Sequence, residues 1–233
     1  MTVSTLAAVD RQARPGVTER ICEYQDLGRV AYGRAWDLQR EIVRRRKAGD
    51  IPDRLLFVEH PHVVSMGRNA KEQNVLVPRE VFEKKGIDYW ETDRGGDVTY
   101  HGPGQIVGYP ILDLRDWKRD VLAFVRALEQ VMVDTMAEFG ISAGRVPGAT
   151  GIWAGPAKLG AIGVHISRWV TSHGFALNVS TDLSYFGYIV PCGLTRPVTS
   201  MERLLGSPPP QEDIKRALVR NFGAVFERTM REL

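Results

Sequence analysis

The sequence has little cysteine and no long apolar run. Its two cysteines, Cys22 and Cys192, lie far apart, which excludes a disulfide framework and a zinc site built on closely spaced cysteines. Residues 1–18 carry neither a positively charged start nor an apolar stretch long enough for a signal peptide or a membrane span. We therefore expect a cytoplasmic protein with no membrane partner and a flexible N-terminus over residues 1–18.

The sequence also lacks the common nucleotide-binding motifs. No G-x-x-x-x-G-K-[ST] occurs, and Gly102, Gly104 and Gly108 are spaced one residue too widely for the dinucleotide fingerprint. The segment that follows them is typical of a strand rather than a helix. Nothing therefore indicates a P-loop or Rossmann site.

The net charge and the histidines of the sequence bear on nucleic-acid and metal binding. The formal net charge is only +3, which indicates no nucleic-acid partner. The basic run at residues 44–47 ends a predicted helix and is interpreted as a solvated face, with docking of an acidic carrier protein as the alternative. His60 and His62 flank a proline without a nearby carboxylate pattern, so we expect no metal site and no cofactor.

The composition, with 43% apolar and 25% charged residues, is that of a globular protein, and the length favours one domain, residues 1–233. Asp116 is predicted to cap the strongest helix, and Thr199 with Glu202 to form a capping box. Strands and helices do not alternate regularly, which favours an α+β fold. The predicted helices are 29–48, 78–86, 117–139, a short one after residue 199, and 211–230. The predicted strands are 55–59, 63–66, 87–92, 105–114, 151–154, 158–166 and 169–179.

The most distinctive stretch is RGGDVTYHGPGQIVGYP, residues 94–110. It is too polar for a core, and Gly95 and Gly96 can adopt positive φ and let a ligand approach the backbone. Polar and apolar side chains then alternate as in a short strand. These are Asp97, Val98, Thr99, Tyr100 and His101. The stretch is interpreted as a binding surface with His101 as a polar contact or proton shuttle; glycines that serve turn geometry alone are the alternative.

Cys192 is the better candidate nucleophile of the two thiols. It lies between Pro191 and Gly193 in a predicted loop, although a lone cysteine is often a buried structural residue. Reactivity requires thiolate, and a free cysteine with pKa near 8.5 is only about a tenth ionised at pH 7.5. Lys158, which opens an apolar strand, or a histidine could stabilise the thiolate. Sequence alone does not place Lys158 beside Cys192, and a surface lysine is the alternative.

Together these segments resemble the lipoyl(octanoyl) transferases of lipoate biosynthesis. Residues 94–110 are similar to that family's R-G-G-x-x-T-aromatic-H-x-x-G-Q signature, and EHPHVVSMGRNA, KLGAIGVHI, HGFALNV and PCGL occur in the expected order. The resemblance covers roughly residues 25–205. It implies an α+β fold with a mixed sheet and flanking helices, like the catalytic domain of lipoate and biotin protein ligases.

The resemblance implies ATP-independent transfer of octanoyl from acyl carrier protein, through a thioester on Cys192, to the target lysine of lipoyl domains. The acceptors would be lipoyl domains of 2-oxoacid dehydrogenases and the glycine cleavage H protein. Lys158 would lower the pKa of the thiol and handle protons. The residues implied to line the substrate are Arg94, Gly95, Gly96, Asp97, Val98, Thr99, Tyr100, His101, Ala161, Ile162, Gly163, Gly174, Phe175 and Ala176.

Burial of the acyl chain would set a preference for length. At roughly 0.8 kcal/mol per methylene, each missing methylene costs about fourfold in binding, whereas rejection of longer chains requires a closed pocket end. We hypothesise that the glycines beside Arg94, with Gly160, Gly163 and Gly174, leave room for an acyl tunnel.

Three alternatives remain open at this point. The first is an ATP-dependent lipoate or biotin ligase on the same fold, which needs no cysteine. The second is a cysteine hydrolase that uses Cys192 with His101 or His173. The third is a non-catalytic protein that binds lipoyl domains or acyl carrier protein and forms no acyl-cysteine.

Overall fold

The structure, a computed structural model, describes residues 19–190 and 196–233. The predicted nucleophile Cys192 and the predicted flexible N-terminus, residues 1–18, lie outside the described residues. Within that part of the chain, two β-sheets are accompanied by helices. The α+β prediction is confirmed.

The larger sheet has eight strands among the described residues and is mixed. In spatial order they are β11 (Thr229–Glu232), β1 (Ile21–Arg29), β2 (Asp53–Glu59), β6 (Gln105–Ile111), β10 (Val170–Asn178), β9 (Ala157–Ser167), β8 (Ala149–Ala154) and β7 (Gly144–Val146). β1 is parallel to β11 and β2, and every other neighbouring pair is antiparallel. The antiparallel half carries the candidate site.

Helices cover both faces of this sheet. They are α1 (Tyr32–Ala48), α3 (Val121–Glu138), α4 (Met201–Leu205) and α5 (Gln211–Phe226), whereas α2 (Arg79–Lys84) packs Phe82 into the core of a smaller sheet. On one face α1 packs Ala35 and Ile42 against the strands, and on the other α3 and α5 contribute Leu128 and Phe222 to the main core. Apolar residues at helical spacing explain both contacts. No helix in the described ranges is long and apolar enough to cross a membrane.

A second, smaller sheet has three strands among the described residues. Its strands are β4 (Asp88–Glu91), β3 (Val63–Met66) and β5 (Thr99–His101), in that spatial order. Val98 and Tyr100 are buried in its own core with Phe82, as their alternation predicts. The backbone N–H of Gly95 donates to the carbonyl of Val164 at 2.8 Å, which joins the glycine-rich segment to β9.

The predicted starts of the first two long helices are wrong. Residues from Ile21 to Arg29 form β1, and the first helix begins three residues later than predicted, at Tyr32. In α3 the side chain of Asp120, not Asp116, accepts the cap hydrogen bond, because Leu114–Asp116 already form a turn of 3₁₀ helix. Helical spacing of the apolar residues also predicts Val121 and Leu122 on the buried stripe of this helix, but they are 50% and 64% exposed.

Two later predictions are also wrong in detail. Ser200 rather than Thr199 caps α4, since the backbone N–H of Arg203 donates to its hydroxyl at 3.2 Å. The last helix ends at Phe226 rather than at residue 230, because Glu227 adopts φ 55° and the chain then forms β11 beside β1. A strand of four residues is too short to be recognised by periodicity.

The basic run at residues 44–47 is not uniformly solvated. The Arg46 side chain is only 12% exposed and donates to Asp53 at 2.8 Å and to Asp116 at 2.7 Å. Asp53 also accepts from the buried Arg228 at 2.8 Å. The interpretation as a solvated face is therefore wrong for Arg46, which ties the end of α1 to the sheet, and holds for the exposed Arg44.

Candidate active site

A pocket of about 750 Å³, its mouth included, lies between residues 94–99 and the sheet face covered by α1. Its floor is formed by β6, β10 and β9. Directly paired residues of antiparallel strands face the same side, so the floor consists of successive rungs. The first rung is Gln105 with Asn178, the second is Val107, Ala176 and Ala161, and the third is Gly174 with Gly163.

Lys158, at the start of β9, lies at the end of this pocket that is next to the first rung. Its side chain is 9% exposed, and Nζ is 5.3 Å from the centroid of the Trp153 ring. The backbone N–H of Lys158 donates to the carbonyl of Pro197, and its carbonyl accepts from the N–H of Thr199, both at 2.9 Å. Lys158 is therefore held against the segment that follows Cys192 in the sequence.

The glycines of the floor have a different role from the one predicted. A Cβ on Gly174 would lie 2.0 Å from the carbonyl oxygen of Gly108, and one on Gly163 would lie 2.9 Å from that of Gly95. At Gly160 the nearest atom is the Ile152 side chain, again at 2.9 Å. These three glycines therefore let protein atoms approach one another rather than leaving room for an acyl chain, whereas the same hypothesis for the glycines beside Arg94 stays a prediction.

Further polar side chains line the pocket. They are Tyr32, Arg94, His101, Tyr109 and His173. The Arg94 guanidinium donates to the carbonyl of Ser65 at 2.6 Å and to its hydroxyl at 3.0 Å, which fixes the glycine-rich segment to β3. The ring of Tyr32 stacks on His101 with centroids 6.0 Å apart.

Two buried histidines, of which His101 lines the pocket, are fixed as neutral tautomers. His60 Nδ1 is 2.7 Å from the carbonyl of Val30 and therefore donates, so its Nε2 accepts from the Tyr109 hydroxyl at 2.7 Å. His101 Nδ1 is 2.7 Å from Gln105 Oε1. Burial lowers the pKa of His101 to about 3 and that of His60 to about 4. His101 therefore suits a polar contact better than a proton shuttle.

These histidines should make the stability of the protein depend on pH. An unfolded histidine binds a proton near pH 6.5, whereas folded His60 and His101 do so only near pH 4 and 3. The unfolded state therefore binds about two more protons near pH 5, and the free energy of unfolding should fall by about 2.7 kcal/mol per pH unit below about pH 6. Denaturant unfolding at pH 7, 6 and 5 measures this slope.

A substitution shows how much of this pH dependence of the free energy of unfolding comes from His101. His101→Gln should remove about half of it, because one of the two groups no longer titrates. A free energy of unfolding that stays constant between pH 7 and pH 5 would contradict the neutral assignment of both rings.

His173 holds an unusual position on β10. Its φ of 55° is in the left-handed region, which turns the imidazole toward α1, where it lies 5.8 Å from the Trp36 ring. Nε2 is 2.7 Å from the Asp93 carboxylate, and this hydrogen bond lowers the pKa of Asp93 to about 2. Nδ1 is buried and has no hydrogen-bond partner within the described ranges.

Most of the residues predicted for the site line this pocket. They are Lys158, Arg94, Gly96, Asp97, Val98, Thr99, His101, Ala161, Ile162, Gly163, Gly174, Phe175 and Ala176. Gly95 and Tyr100 lie outside it: the Tyr100 hydroxyl is bonded to His62 Nδ1 at 2.7 Å. The Asp97 carboxylate accepts from the backbone N–H of Val98 at 2.7 Å and from Asn74, so it orders the surrounding loop.

Several lining residues were not singled out from the sequence. They are Tyr32, Gln105, Val107, Tyr109, Asn178, Phe186 and Val198. Gln105, Val107 and Tyr109 alternate along a predicted strand directly after the glycine-rich segment, so period-two spacing could have found them. Tyr32 and Phe186 come from distant parts of the chain and carry no such signal.

The H-x-H pair is occupied by protein partners, since His60 bonds to Tyr109 and His62 to Tyr100. In the part of the chain that the structure describes, no three histidine, cysteine, aspartate or glutamate side chains are grouped to hold a metal ion.

Comparison with known sequences identifies the chain's relatives. Residues 31–223 match the lipoyl protein ligase A/B catalytic domain. The octanoyltransferase of Solibacter usitatus is 56% identical over 211 residues, which cover 91% of this chain and 96% of that protein. The octanoyltransferase of Koribacter versatilis is 50% identical over 208 residues, with 87% and 83% covered.

Solved structures of more distant proteins share the fold. A bipartite lipoate protein ligase from Thermoplasma acidophilum superposes with a TM-score of 0.73 at 16% identity, covering 93% of this chain and 87% of that one. The biotin protein ligase of Aquifex aeolicus, solved with biotin and ATP, gives a TM-score of 0.54 at 9% identity, covering 89% and 71%. At such identities the likeness concerns the fold alone.

Proposed function

Because this chain belongs to the octanoyltransferases of the lipoyl protein ligase A/B catalytic-domain family, we propose that it carries octanoyl from acyl carrier protein to lipoyl-domain lysines through Cys192. The chain is an acyltransferase of lipoate biosynthesis, and its residues 1–233 act as one cytoplasmic catalytic domain. The acceptors are the lipoyl domains of 2-oxoacid dehydrogenases and the glycine cleavage H protein.

The observation that carries this proposal is the position of Lys158. It is a buried cation that lines the pocket, and it is bonded through its backbone to Pro197 and Thr199, shortly after Cys192 in the chain. A cation near a thiol favours the thiolate, which is the nucleophilic form. Cys192 and Lys158 thus form the reacting pair, and the pocket floor receives the acyl chain.

In the first step the Cys192 thiolate attacks the carbonyl carbon of the octanoyl thioester. A carbon–sulfur bond to Cys192 forms and the bond to the carrier's sulfur breaks, and the departing thiolate takes a proton from the Lys158 ammonium. One thioester replaces another, so the exchange is nearly isoenergetic and needs no nucleotide.

In the second step neutral Lys158 takes a proton from the ammonium group of the acceptor lysine. The free amine attacks the Cys192 thioester, a carbon–nitrogen bond forms, and the carbon–sulfur bond breaks. The amide nitrogen loses its remaining extra proton to water, and the thiolate with its Lys158 ammonium is restored. Amide formation from a thioester is downhill and drives the cycle.

Intact-protein mass spectrometry tests this function directly. After incubation with octanoyl-loaded acyl carrier protein and no ATP, the enzyme should gain one octanoyl group that hydroxylamine removes, and an added lipoyl domain should then receive it. Modification of the lipoyl domain only when ATP and free octanoate are supplied would instead mean a ligase. Steady release of octanoate without an acceptor would mean a hydrolase.

A further inference from the structure

Hydrogen bonds hold the chain on both sides of the proposed nucleophile. After Cys192, the carbonyl of Pro197 accepts from the backbone N–H of Lys158 at 2.9 Å. Before it, the backbone N–H of Val190 donates to the carbonyl of Asn74 at 2.7 Å. Val190 precedes Cys192 by only two residues. Whatever holds Asn74 in place therefore also holds the chain next to the nucleophile.

The contact before the nucleophile is a pairing of two segments rather than a single bond. The backbone N–H of Leu76 donates to the carbonyl of Tyr188 at 2.9 Å, and Val75 pairs with Ile189 in an antiparallel bridge. Ile189 is 3% exposed and lies in the core of the smaller sheet. The two segments therefore hold each other as short antiparallel strands do.

Side-chain hydrogen bonds connect this pairing to the pocket. Asn74 is 7% exposed, and its side-chain amide donates to one oxygen of the Asp97 carboxylate. The other oxygen accepts from the backbone N–H of Val98 at 2.7 Å and from that of Lys71 at 3.3 Å. Asp97 lines the pocket. Its carboxylate, predicted to contact the substrate, is thus bonded to the loop that carries Val190.

The same loop is joined to the glycine-rich segment by its backbone. The N–H of Asn69, for example, donates to the carbonyl of Gly96 at 3.1 Å. Farther along the loop the connection runs through the side chains of Asn74 and Asp97. Substitution of these two side chains can therefore loosen the loop beside the nucleophile without removing a backbone group.

We propose that Asn74 and Asp97 are positioning residues for Cys192, because their hydrogen bond holds the loop to which Val190 is bonded. Neither side chain forms or breaks a bond in the reaction. A nucleophile reacts only within a narrow range of distance and angle, and a misplacement of about 1 Å can cost roughly 10²-fold in rate. The pair therefore acts on the rate of acylation rather than on affinity for the acyl chain. This role rests on the proposed octanoyl transfer.

A reciprocal exchange of the two side chains tests the proposal. Asn74→Asp sets a second carboxylate against Asp97 and replaces attraction by repulsion. Adding Asp97→Asn restores the bond with its direction reversed, since the new amide donates to the carboxylate at position 74 and its oxygen still accepts from the backbone. Intact mass follows acylation of Cys192 at saturating octanoyl N-acetylcysteamine thioester.

The single and the double variant should differ in acylation rate. We expect the rate constant to fall about 10- to 100-fold in Asn74→Asp, because the nucleophile is displaced. In the double variant it should return to within about threefold of the wild type, because the two changes act on one hydrogen bond. A double variant as slow as the single one would show that this bond does not position the nucleophile.

Asn221 in α5 offers a matched control. Its side-chain amide donates to the Glu138 carboxylate at 2.7 Å, and it does not line the pocket. Asn221→Asp makes the same change against a carboxylate elsewhere in the protein and should acylate at the wild-type rate. Thermal unfolding of both variants measures their loss of stability. An equal fall in acylation rate in both would mean a general loss of stability and would overturn the proposal.

Binding of free octanoate separates positioning from substrate contact. Calorimetry on the same variants should give dissociation constants within about twofold of the wild type, since a group that acts only on the reacting geometry leaves ground-state binding unchanged. A dissociation constant that rises as much as the rate falls would mean that Asp97 binds the substrate. The positioning role would then be wrong.

Hydrogen exchange distinguishes failure of this proposal from failure of the proposed function. The amide of Val190 should lose protection in Asn74→Asp and regain it in the double variant, whether or not Cys192 reacts. This pattern without an octanoyl adduct on the wild type would remove the thioester mechanism and leave the anchored loop. An adduct that forms on Asn74→Asp at the wild-type rate would remove the positioning role alone.

A second variant covers the case in which Asn74→Asp does not fold. Asn74→Ala removes the side-chain donor to Asp97 without adding a charge, and it keeps the backbone carbonyl that accepts from Val190. It should slow acylation several-fold with unchanged affinity for octanoate. Acylation at the wild-type rate in a folded Asn74→Ala would overturn the proposal.

Discussion

Replacing Cys192 with serine should reduce octanoyl transfer on the order of 10⁴-fold or more in kcat/KM. The hydroxyl of serine is not ionised near neutral pH, so the covalent intermediate does not form, and loss of a nucleophile costs far more than loss of a single binding contact. The rate is followed as octanoyl gain on a lipoyl domain by intact mass, with octanoyl-loaded acyl carrier protein as donor.

Cys22 provides the matched control for that variant. It is fully buried in the main core, and burial raises the pKa of its thiol far above the ordinary value. Cys22→Ala should therefore lose some stability and keep its transfer rate, and alkylation of the native protein should label Cys192 alone. A folded Cys22→Ala that cannot be acylated, beside an active Cys192→Ser, would reverse the assignment.

Replacing Lys158 with methionine should lower transfer by about 10²- to 10⁴-fold. Methionine keeps the length of the buried side chain but removes the group that stabilises the thiolate and accepts the proton of the acceptor amine. The pKa of Cys192, followed by the pH dependence of its alkylation rate, should rise in this variant. An unchanged alkylation profile would show that Lys158 does not act on the thiol.

A second substitution at this position separates the two roles of Lys158. Lys158→Arg keeps a cation but cannot supply a neutral base, since the guanidinium is always protonated. Acylation of Cys192 should survive in part while transfer to the lipoyl domain is lost. Lys47→Met, at the end of α1 and outside the pocket, serves as the control and should match the wild type.

Much of the candidate site could be predicted from local sequence. Alternation and glycine content marked the glycine-rich segment as a binding surface, and the family resemblance supplied the role of Lys158 and the paired residues of β9 and β10, which share one hairpin. That Tyr32 and His173 lie in one pocket with Arg94 could not be predicted, because these residues meet only through tertiary packing. Nor could sequence show that φ at His173 is positive, which is uncommon for any residue with a side chain.

The errors in the fold have local physical causes. β1 contains Glu23, Gln25 and Asp26, so it lacks the apolar alternation that identifies a strand. Two aspartates, Asp116 and Asp120, precede the long helix, and the choice between them depends on the 3₁₀ turn before it. The long apolar patterns predicted helices that the structure contains. The bounds and caps of short or edge elements depend instead on contacts with neighbouring segments.

The pairing of the strands that form the pocket floor also limits how the preferred acyl chain length can differ among related proteins. Slipping β10 by one residue against β9 would turn every floor side chain to the opposite face, and a slip of two would move the end of the floor by about 7 Å, or some five carbons. A change in strand register therefore cannot alter the accepted chain length by only one or two carbons. Gradual evolutionary change in accepted chain length must come from single side chains that line the pocket.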